Sequence, residues 1–424
     1  MLCAWIYYSA FVKPQKMLEW PFLAAVMWGY FYVYMSYDAN TSLADYISEY
    51  SVIGQITALM GLVGIYLGWG IGLKRKVIST KRQLPKNMWL LCAGLFFVIV
   101  GILGARSVGE AASKQIDVYN ETSAYYYLLF YVGFPGLAMA VWAGAKWNGK
   151  TKYIVWIIIA IFLFVFIFPY IQGARRGPVF PAIILLLIVP SMARRKSPNP
   201  IVFASVLIST GIAMILFLSI RSITYNGGDW SDAIAEICVK DAVSERGKKV
   251  TDNEFVNHCH TVATLAYNGK INYGTGHLGL LLHWIPKKFY PNKPILGDGY
   301  FCSFYELFDD IERHCGVYLL GGSGASNAGV ADSFFQYGWL FPFYWYCISY
   351  IFSILYTNGQ KTNDPRWCLS YVGVMCASHW LISQSLSAAT VPGLIFIVIP
   401  IVSIALSPKV IVKTKNKEGK QYCA

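Results

Sequence analysis

Long apolar segments constrain the fold of this chain more than any other feature, because about 20 consecutive apolar residues form a helix that crosses a bilayer. The composition agrees: 56% of the residues are hydrophobic and 13% are charged, whereas about a quarter are charged in soluble domains. We therefore predict an all-α polytopic membrane protein. The predicted spans are residues 17–37, 51–73, 88–105, 124–145, 153–171, 177–193, 200–220, 333–357, 367–385 and 390–406.

The basic residues are distributed unevenly between these spans. Most of the 35 Lys and Arg residues fall in alternate connections, and those connections contain few of the 22 Asp and Glu residues. The positive-inside rule assigns short Lys- and Arg-rich loops to the cytoplasm, so we predict a multi-pass protein with both termini cytoplasmic. The net charge of +13 is explained in the same way, and no nucleic acid partner is predicted.

One connection on the predicted outer side, residues 221–332, is far longer than the others, at about 110 residues. Its many aromatic residues favour a folded subdomain over disorder. We therefore divide the chain into an N-terminal transmembrane bundle at residues 1–220, a large outer loop subdomain at 221–332, and C-terminal transmembrane helices with a cytoplasmic tail at 333–424.

Four cysteines lie in the long outer connection: Cys238, Cys259, Cys302 and Cys315. An even number of cysteines on an oxidising face permits two disulfides, and sequential pairing is one of three connectivities. Buried free thiols are the equally favoured alternative. The His-Cys-His triplet at residues 258–260 has metal-binding atoms, but neighbouring side chains seldom converge on one ion, and we predict no metal.

A minimal turn between the fifth and sixth spans contains Arg175 and Arg176 on the predicted outer side, against the charge bias. Placing guanidinium groups at the edge of the membrane costs free energy unless they bind anions, and their planar N–H donors suit phosphate oxygens. The alternative is that they reach lipid phosphate or pair with an acid of the long loop. Arg221 ends the seventh span on the same side and is a third candidate.

A proline-stiffened segment, residues 286–294, adds Lys287, Lys288 and Lys293 on the predicted outer side. These lysines are candidates for binding the same anionic group. Anchoring at the membrane interface explains them equally well.

Three residues are candidates for catalysis. His277 and His283 are two of them, because the unperturbed pKa of an imidazole, near 6.5, suits a general base at neutral pH. Asp332 precedes the eighth span, where a carboxylate can orient a sugar hydroxyl or steady an arginine. Its alternative role is to stabilise a helix N-terminus.

Several functional classes are disfavoured by what the sequence lacks. It contains no Walker loop, dinucleotide fingerprint, nucleophile elbow or paired-histidine zinc motif. Channels and secondary transporters rarely combine one long outer loop with arginines in an outer turn. The pattern favours an enzyme that acts on a membrane-embedded lipid substrate.

The order of these features resembles the Wzy-type O-antigen or oligosaccharide repeat unit polymerases over residues 170–358. The features are the turn at residues 173–177, a span that ends in Arg221, the Ile-Pro-basic segment at 285–294, and a Gly/Ser-rich segment at 321–338.

The sequence departs from the family pattern at two positions in the last of these segments. Asp332 stands where a glutamate is more usual, and Tyr337 replaces phenylalanine before Gly338. The aspartate side chain is shorter than that of glutamate and carries the same charge.

The resemblance implies a GT-C-like helical bundle of about 10 to 12 transmembrane helices. It also implies a glycosyltransferase of the bacterial inner membrane, with a periplasmic loop and neither cofactor nor metal. Its partners would be an undecaprenyl-diphosphate-linked glycan donor and acceptor, membrane lipid, and a chain-length regulator protein as a further candidate.

The resemblance assigns roles to the candidate residues as well. The catalytic candidates are His277, His283 and Asp332, and the diphosphate-binding candidates are Arg175, Arg176, Arg221, Lys287, Lys288 and Lys293. Two other functions fit the same features, namely an O-antigen ligase and a polysaccharide flippase or exporter.

Overall fold

The computed structural model describes residues 1–42, 50–76, 84–113, 121–172, 179–209, 254–268, 271, 273–274, 277 and 328–410, and these are nearly all helical. The helices in the first half are α1 Leu2–Val12, α2 Trp20–Trp28, α3 Met35–Ser42, α4 Ser51–Leu73, α5 Asn87–Ser113, α6 Glu121–Lys146, α7 Lys152–Gln172 and α8 Val179–Arg194. They are followed by α9 Pro200–Ser209, α10 Glu254–Asn268, α11 Ala328–Tyr337, α12 Phe341–Thr362, α13 Pro365–Ser383 and α14 Leu386–Ala405.

Five helical segments among the described residues are long and apolar enough to cross a membrane. They are Ser51–Leu73, Asn87–Ser107, Leu128–Lys146, Ala328–Thr362 and Ala388–Ala405. The helical membrane character that the sequence predicts is therefore confirmed.

Two of the predicted spans are interrupted in the structure. In the span predicted at 17–37, Glu19 is extended immediately before α2, and π-helical turns at Gly29–Tyr34 separate α2 from α3. The span predicted at 333–357 begins earlier, at Ala328, and Gly338 divides it into α11 and α12 because its φ of +54° is left-handed. Hydropathy does not detect such breaks, because they leave the apolar character of a segment unchanged.

The chain forms two compact units. The first contains Met1–Lys74, Ser222–Ser353 and Ala377–Val391, and the second contains Arg75–Arg221, Ile354–Cys376 and Pro392–Ala424. The sequence-based division at residues 220 and 332 stays a prediction.

Helix α4 lies at the centre of the first unit. Two of its glycines come so close to the start of α12 that a Cβ atom on Gly64 or Gly68 would run into the carbonyl oxygen of Pro342 or Tyr346. Small residues at helical spacing allow this close approach of two backbones.

The second unit is built around α5 and α6. Gly101 and Gly133 face each other across the two helices, and Gly94 lies against the backbone of α6 near Ala140. Two short segments, β1 Leu84–Pro85 and β2 Lys409–Val410, pair antiparallel in this unit.

Helix α10 belongs to the long connection that is predicted to lie outside, and it packs against α4 and α11 within the first unit. Its polar residues are buried together with its apolar ones, including Asn257, His258 and Thr261. Cys259 is a buried free thiol, so of the two alternatives that the sequence left open, a disulfide or a free thiol, the free thiol holds for this residue.

Candidate functional site

The candidate site is formed by two parts of the chain that are far apart in sequence, the described residues 271, 273, 274 and 277 and the helix α11. The backbone N–H of Gly274 donates a hydrogen bond of 2.8 Å to the carbonyl oxygen of Gln336. Gly274 has a left-handed φ of +78°, and a Cβ atom there would come within 3.0 Å of the Tyr337 ring. The absence of a side chain on this glycine therefore lets the segment lie against the end of α11.

This backbone contact places His277 beside α11. Its Nδ1 atom lies 2.8 Å from the hydroxyl oxygen of Tyr337, and its Nε2 atom lies 3.6 Å from Oδ2 of Asp332. The imidazole also stacks on the ring of Tyr344, with 5.4 Å between centroids. The side chains of His277 and Asp332 are only 7% and 2% exposed, so the pair is shielded from solvent.

The carboxylate of Asp332 is only partly satisfied. Its Oδ2 atom accepts a hydrogen bond of 3.3 Å from the backbone N–H of Leu386, the first residue of α14. Its Oδ1 atom has no hydrogen-bond partner in the described part of the chain. The sequence allowed Asp332 a role at a helix N-terminus. The helix concerned is α14, because Asp332 itself lies within α11 and not at its start.

The facing atoms of His277 and Asp332 lie close together without forming a hydrogen bond to each other. A distance of 3.6 Å is too long for a direct hydrogen bond, and within the described residues Nε2 of His277 makes none. Buried polar atoms in native proteins are nearly always hydrogen-bonded, to protein or to another molecule. When Nδ1–H of His277 donates to Tyr337, Nε2 and the carboxylate are both acceptors, so a hydroxyl group beside them can donate its proton to either one.

Two further polar side chains in this region were not predicted from the sequence. Gln336, one helical turn after Asp332, is fully buried, and neither atom of its amide has a partner among the described residues. The same is true of the Tyr344 hydroxyl. The four-residue spacing from Asp332 was a signal for Gln336, because such positions share a helix face. No local pattern identified Tyr344.

Two of the predicted site residues, His277 and Asp332, are thus brought together. Seven others lie outside the described residues, so their predicted roles stay predictions: Arg175, Arg176, Arg221, His283, Lys287, Lys288 and Lys293.

The histidines of α10 form a separate polar region of the first unit. The Nε2 atom of His258 lies 3.0 Å from the carbonyl oxygen of Gly54 and 3.1 Å from Oγ1 of Thr57. A carbonyl oxygen only accepts, so Nε2 carries the proton. Burial lowers the pKa of His258 to about 4, and the Gly54 contact opposes this shift in part. No three metal-binding side chains cluster among the described residues, and this includes the triplet at 258–260.

The fold and the site together define a helical membrane protein with a buried histidine and aspartate at the start of one candidate span. No known family matches the sequence, and neither a curated protein nor a solved structure matches the chain.

Proposed function

We propose that this protein is a glycosyltransferase that joins undecaprenyl-diphosphate-linked oligosaccharide units at the outer face of the bacterial inner membrane. The proposal includes a GT-C-like bundle of about 10 to 12 spans, the topology with both termini cytoplasmic, and a periplasmic loop. The observation that carries it is the proximity of His277 and Asp332, two residues selected independently from the sequence as handling the acceptor.

His277 acts as the general base in this proposal. We assign the proton of the neutral imidazole to Nδ1, which then donates to the Tyr337 hydroxyl oxygen and leaves a lone pair on Nε2, 3.6 Å from Oδ2 of Asp332. The acceptor sugar hydroxyl loses its proton to Nε2 while its oxygen bonds to the anomeric carbon of the donor. Asp332 stabilises the imidazolium that forms, as the carboxylate does in other acid–base pairs.

The bond that breaks joins the anomeric carbon to a phosphate oxygen, and its electron pair leaves with the lipid diphosphate. Negative charge develops on that group, and preorganised cations stabilise it most effectively in a site shielded from water. We assign this role to Arg175, Arg176 and Arg221, assisted by Lys287, Lys288 and Lys293.

The test is polymer formation from lipid-linked repeat units by purified variants. Replacing a general base lowers the rate by about 10²- to 10⁴-fold, and we expect this for His277→Gln. Asp332→Asn retains an oxygen for the Leu386 N–H and removes the charge, so a large loss of rate is expected there too. Tyr337→Phe removes one orienting hydrogen bond, for which we expect about a tenfold loss.

Two tyrosines provide matched controls. Tyr273→Phe lies in the same segment as His277 but at an 81% exposed position, and Tyr346→Phe lies in α12, where its ring stacks on Phe343. Both should retain normal rates. Near-normal polymerisation by folded, membrane-inserted His277→Gln would defeat the proposal. In cells, a polymerase defect leaves single repeat units on the surface lipid, whereas a ligase defect leaves polymer on its carrier.

A further inference from the structure

A basic groove of about 560 Å³ lies in the second unit, where α6 and α8 end and α7 begins. Five cationic residues line it: Lys146, Lys152, Arg194, Arg195 and Lys196. Asn148 and Asn363 add amide groups to the lining, which contains no Asp or Glu. Trp147 also lines the groove, and its indole N–H donates to Oγ1 of Thr151. The chain segments around it carry the positive charge that predicts a cytoplasmic location.

Three of the five cations contact the surrounding helix ends. The Nε atom of Arg194 donates to the carbonyl oxygen of Ala145 at 3.0 Å, and Nη2 of Arg195 donates to that of Lys361 at 3.3 Å. The ammonium group of Lys146 lies over the Trp142 ring. Each guanidinium has five N–H donors, so these contacts leave donors for a ligand.

The backbone also adopts an uncommon conformation to form the groove. Arg195 has a left-handed φ of +52°, in a position after a helix end where glycine is the usual residue. Its N–H and that of Lys196 bond back to the carbonyl oxygens of Met192 and Ser191. An arginine in this conformation places a full charge at the groove where a glycine would place none.

Stabilisation of helix ends does not account for so much positive charge. The C-termini of α6, α8 and α12 contribute about half a negative charge each, and the N-terminus of α7 contributes about half a positive charge. Five cations therefore exceed the local negative charge several-fold. Asp364, next to the lining residue Asn363, is buried and already bonded to Arg366.

We propose that this groove binds a phosphate group, which either an anionic phospholipid headgroup or a soluble phosphate compound can supply. Phosphate matches the donors, because arginine binds its oxygens through two parallel N–H groups and lysine acts as a point charge. Basic pockets between membrane helices on the cytoplasmic side bind anionic lipid headgroups in this manner. The proposal is independent of the proposed glycosyltransferase activity.

The test uses the full chain in a neutral detergent, titrated separately with dioctanoyl phosphatidylglycerol and with inorganic pyrophosphate. We expect saturable binding of at least one of them. The pocket variant Lys152→Gln/Lys196→Gln should weaken that binding at least tenfold, since each lysine contributes roughly fivefold to phosphate attraction. The control Lys76→Gln/Lys150→Gln removes the same charge from exposed positions outside the groove and should bind normally.

Each outcome decides the proposal. Binding of the lipid alone identifies a headgroup site, and binding of pyrophosphate with the same variant pattern identifies a site for soluble phosphate. Lys152→Arg/Lys196→Arg should restore the affinity. If the double variant does not fold, the single variant Lys196→Gln, at an exposed position, is compared with the control in its place. Absence of binding, or equal loss in pocket and control variants, overturns the proposal.

Discussion

His258 is buried in a polar environment that holds it neutral. Its proton on Nε2 is directed at the Gly54 carbonyl oxygen, and Nδ1 has no partner within the described residues. Protonation of Nδ1 would place a full charge inside the first unit without a described counter-ion. Folding therefore favours the neutral imidazole, and this is why burial lowers its pKa to about 4.

We predict that acid weakens the fold through His258. Above pH 6.5 the residue is neutral in both states; between about 6.5 and 4 only the unfolded chain takes up the proton, and stability falls as pH falls. The loss amounts to about 3 kcal/mol at most. His258→Gln, which retains a donor for Gly54, should have a flatter profile of thermal unfolding midpoint between pH 7 and 4. Parallel profiles for the two proteins would contradict this assignment.

Asp332 contacts both the N-terminus of a helix and a residue of the candidate site. Its Oδ2 atom accepts from the first N–H of α14 and lies beside His277. A helix N-terminus favours a negative charge, so the side chain of Asp332 also stabilises the start of α14. The sequence identified the residue and allowed it a helix-terminus role as an alternative, but it could not identify the helix, because the partner, Leu386, is distant in the chain.

At the scale of elements, α4 depends on glycines at its contact with α12. A Cβ atom on Gly68 would run into the Tyr346 carbonyl oxygen, which belongs to backbone and cannot rotate away. Gly70, two residues further along the same helix, has nothing within 4 Å of a Cβ atom. An alanine at Gly68 therefore tests the close packing of the two helices, whereas an alanine at Gly70 tests helix propensity alone.

We predict opposite effects of alanine at these two glycines. Gly68→Ala should destabilise the protein by about 1–3 kcal/mol, as overpacking does in well-packed cores. Gly70→Ala should be neutral or stabilising by up to about 1 kcal/mol, because alanine is the better helix former. Thermal unfolding midpoints of both variants in the same detergent measure the difference. Equal midpoints would show that the close contact between α4 and α12 is not formed.

At the scale of the whole molecule, several segments that are predicted to be cytoplasmic meet within the second unit. The ends of α6 and α8 line the basic groove together with Asn363, and β1 pairs with β2. Segments in contact near helix ends lie on the same side of a membrane. The alternating charge pattern of the sequence predicts a cytoplasmic location for all of them, which is an independent argument for the same grouping.

We predict that a cysteine at position 150 is labelled by an impermeant maleimide only after cells are permeabilised. A cysteine at position 273, which is exposed and belongs to the long outer connection, should be labelled in intact cells through the periplasm. The unmodified protein provides the background from its native cysteines. The reverse pattern would invert the topology, and with it the side on which His277 and Asp332 act.

The sequence alone determined the class of fold, because bilayer thickness sets the length of an apolar helix whatever its neighbours are. The span predicted at 51–73 coincides with α4 Ser51–Leu73 for this reason. Local chemistry also selected His277 and Asp332 as candidates. It could not identify the breaks at Glu19 and Gly338, since these depend on backbone conformation and not on hydropathy.

Only the tertiary structure decided which polar residues meet. The pairing of His277 with Asp332 depends on a hydrogen bond between Gly274 and Gln336 and on the stacking of Tyr344, and these contacts join distant parts of the chain. The basic groove likewise arises from the ends of three helices. Periodicity and composition describe each helix separately, whereas a site depends on the positions that packing gives to several helices at once.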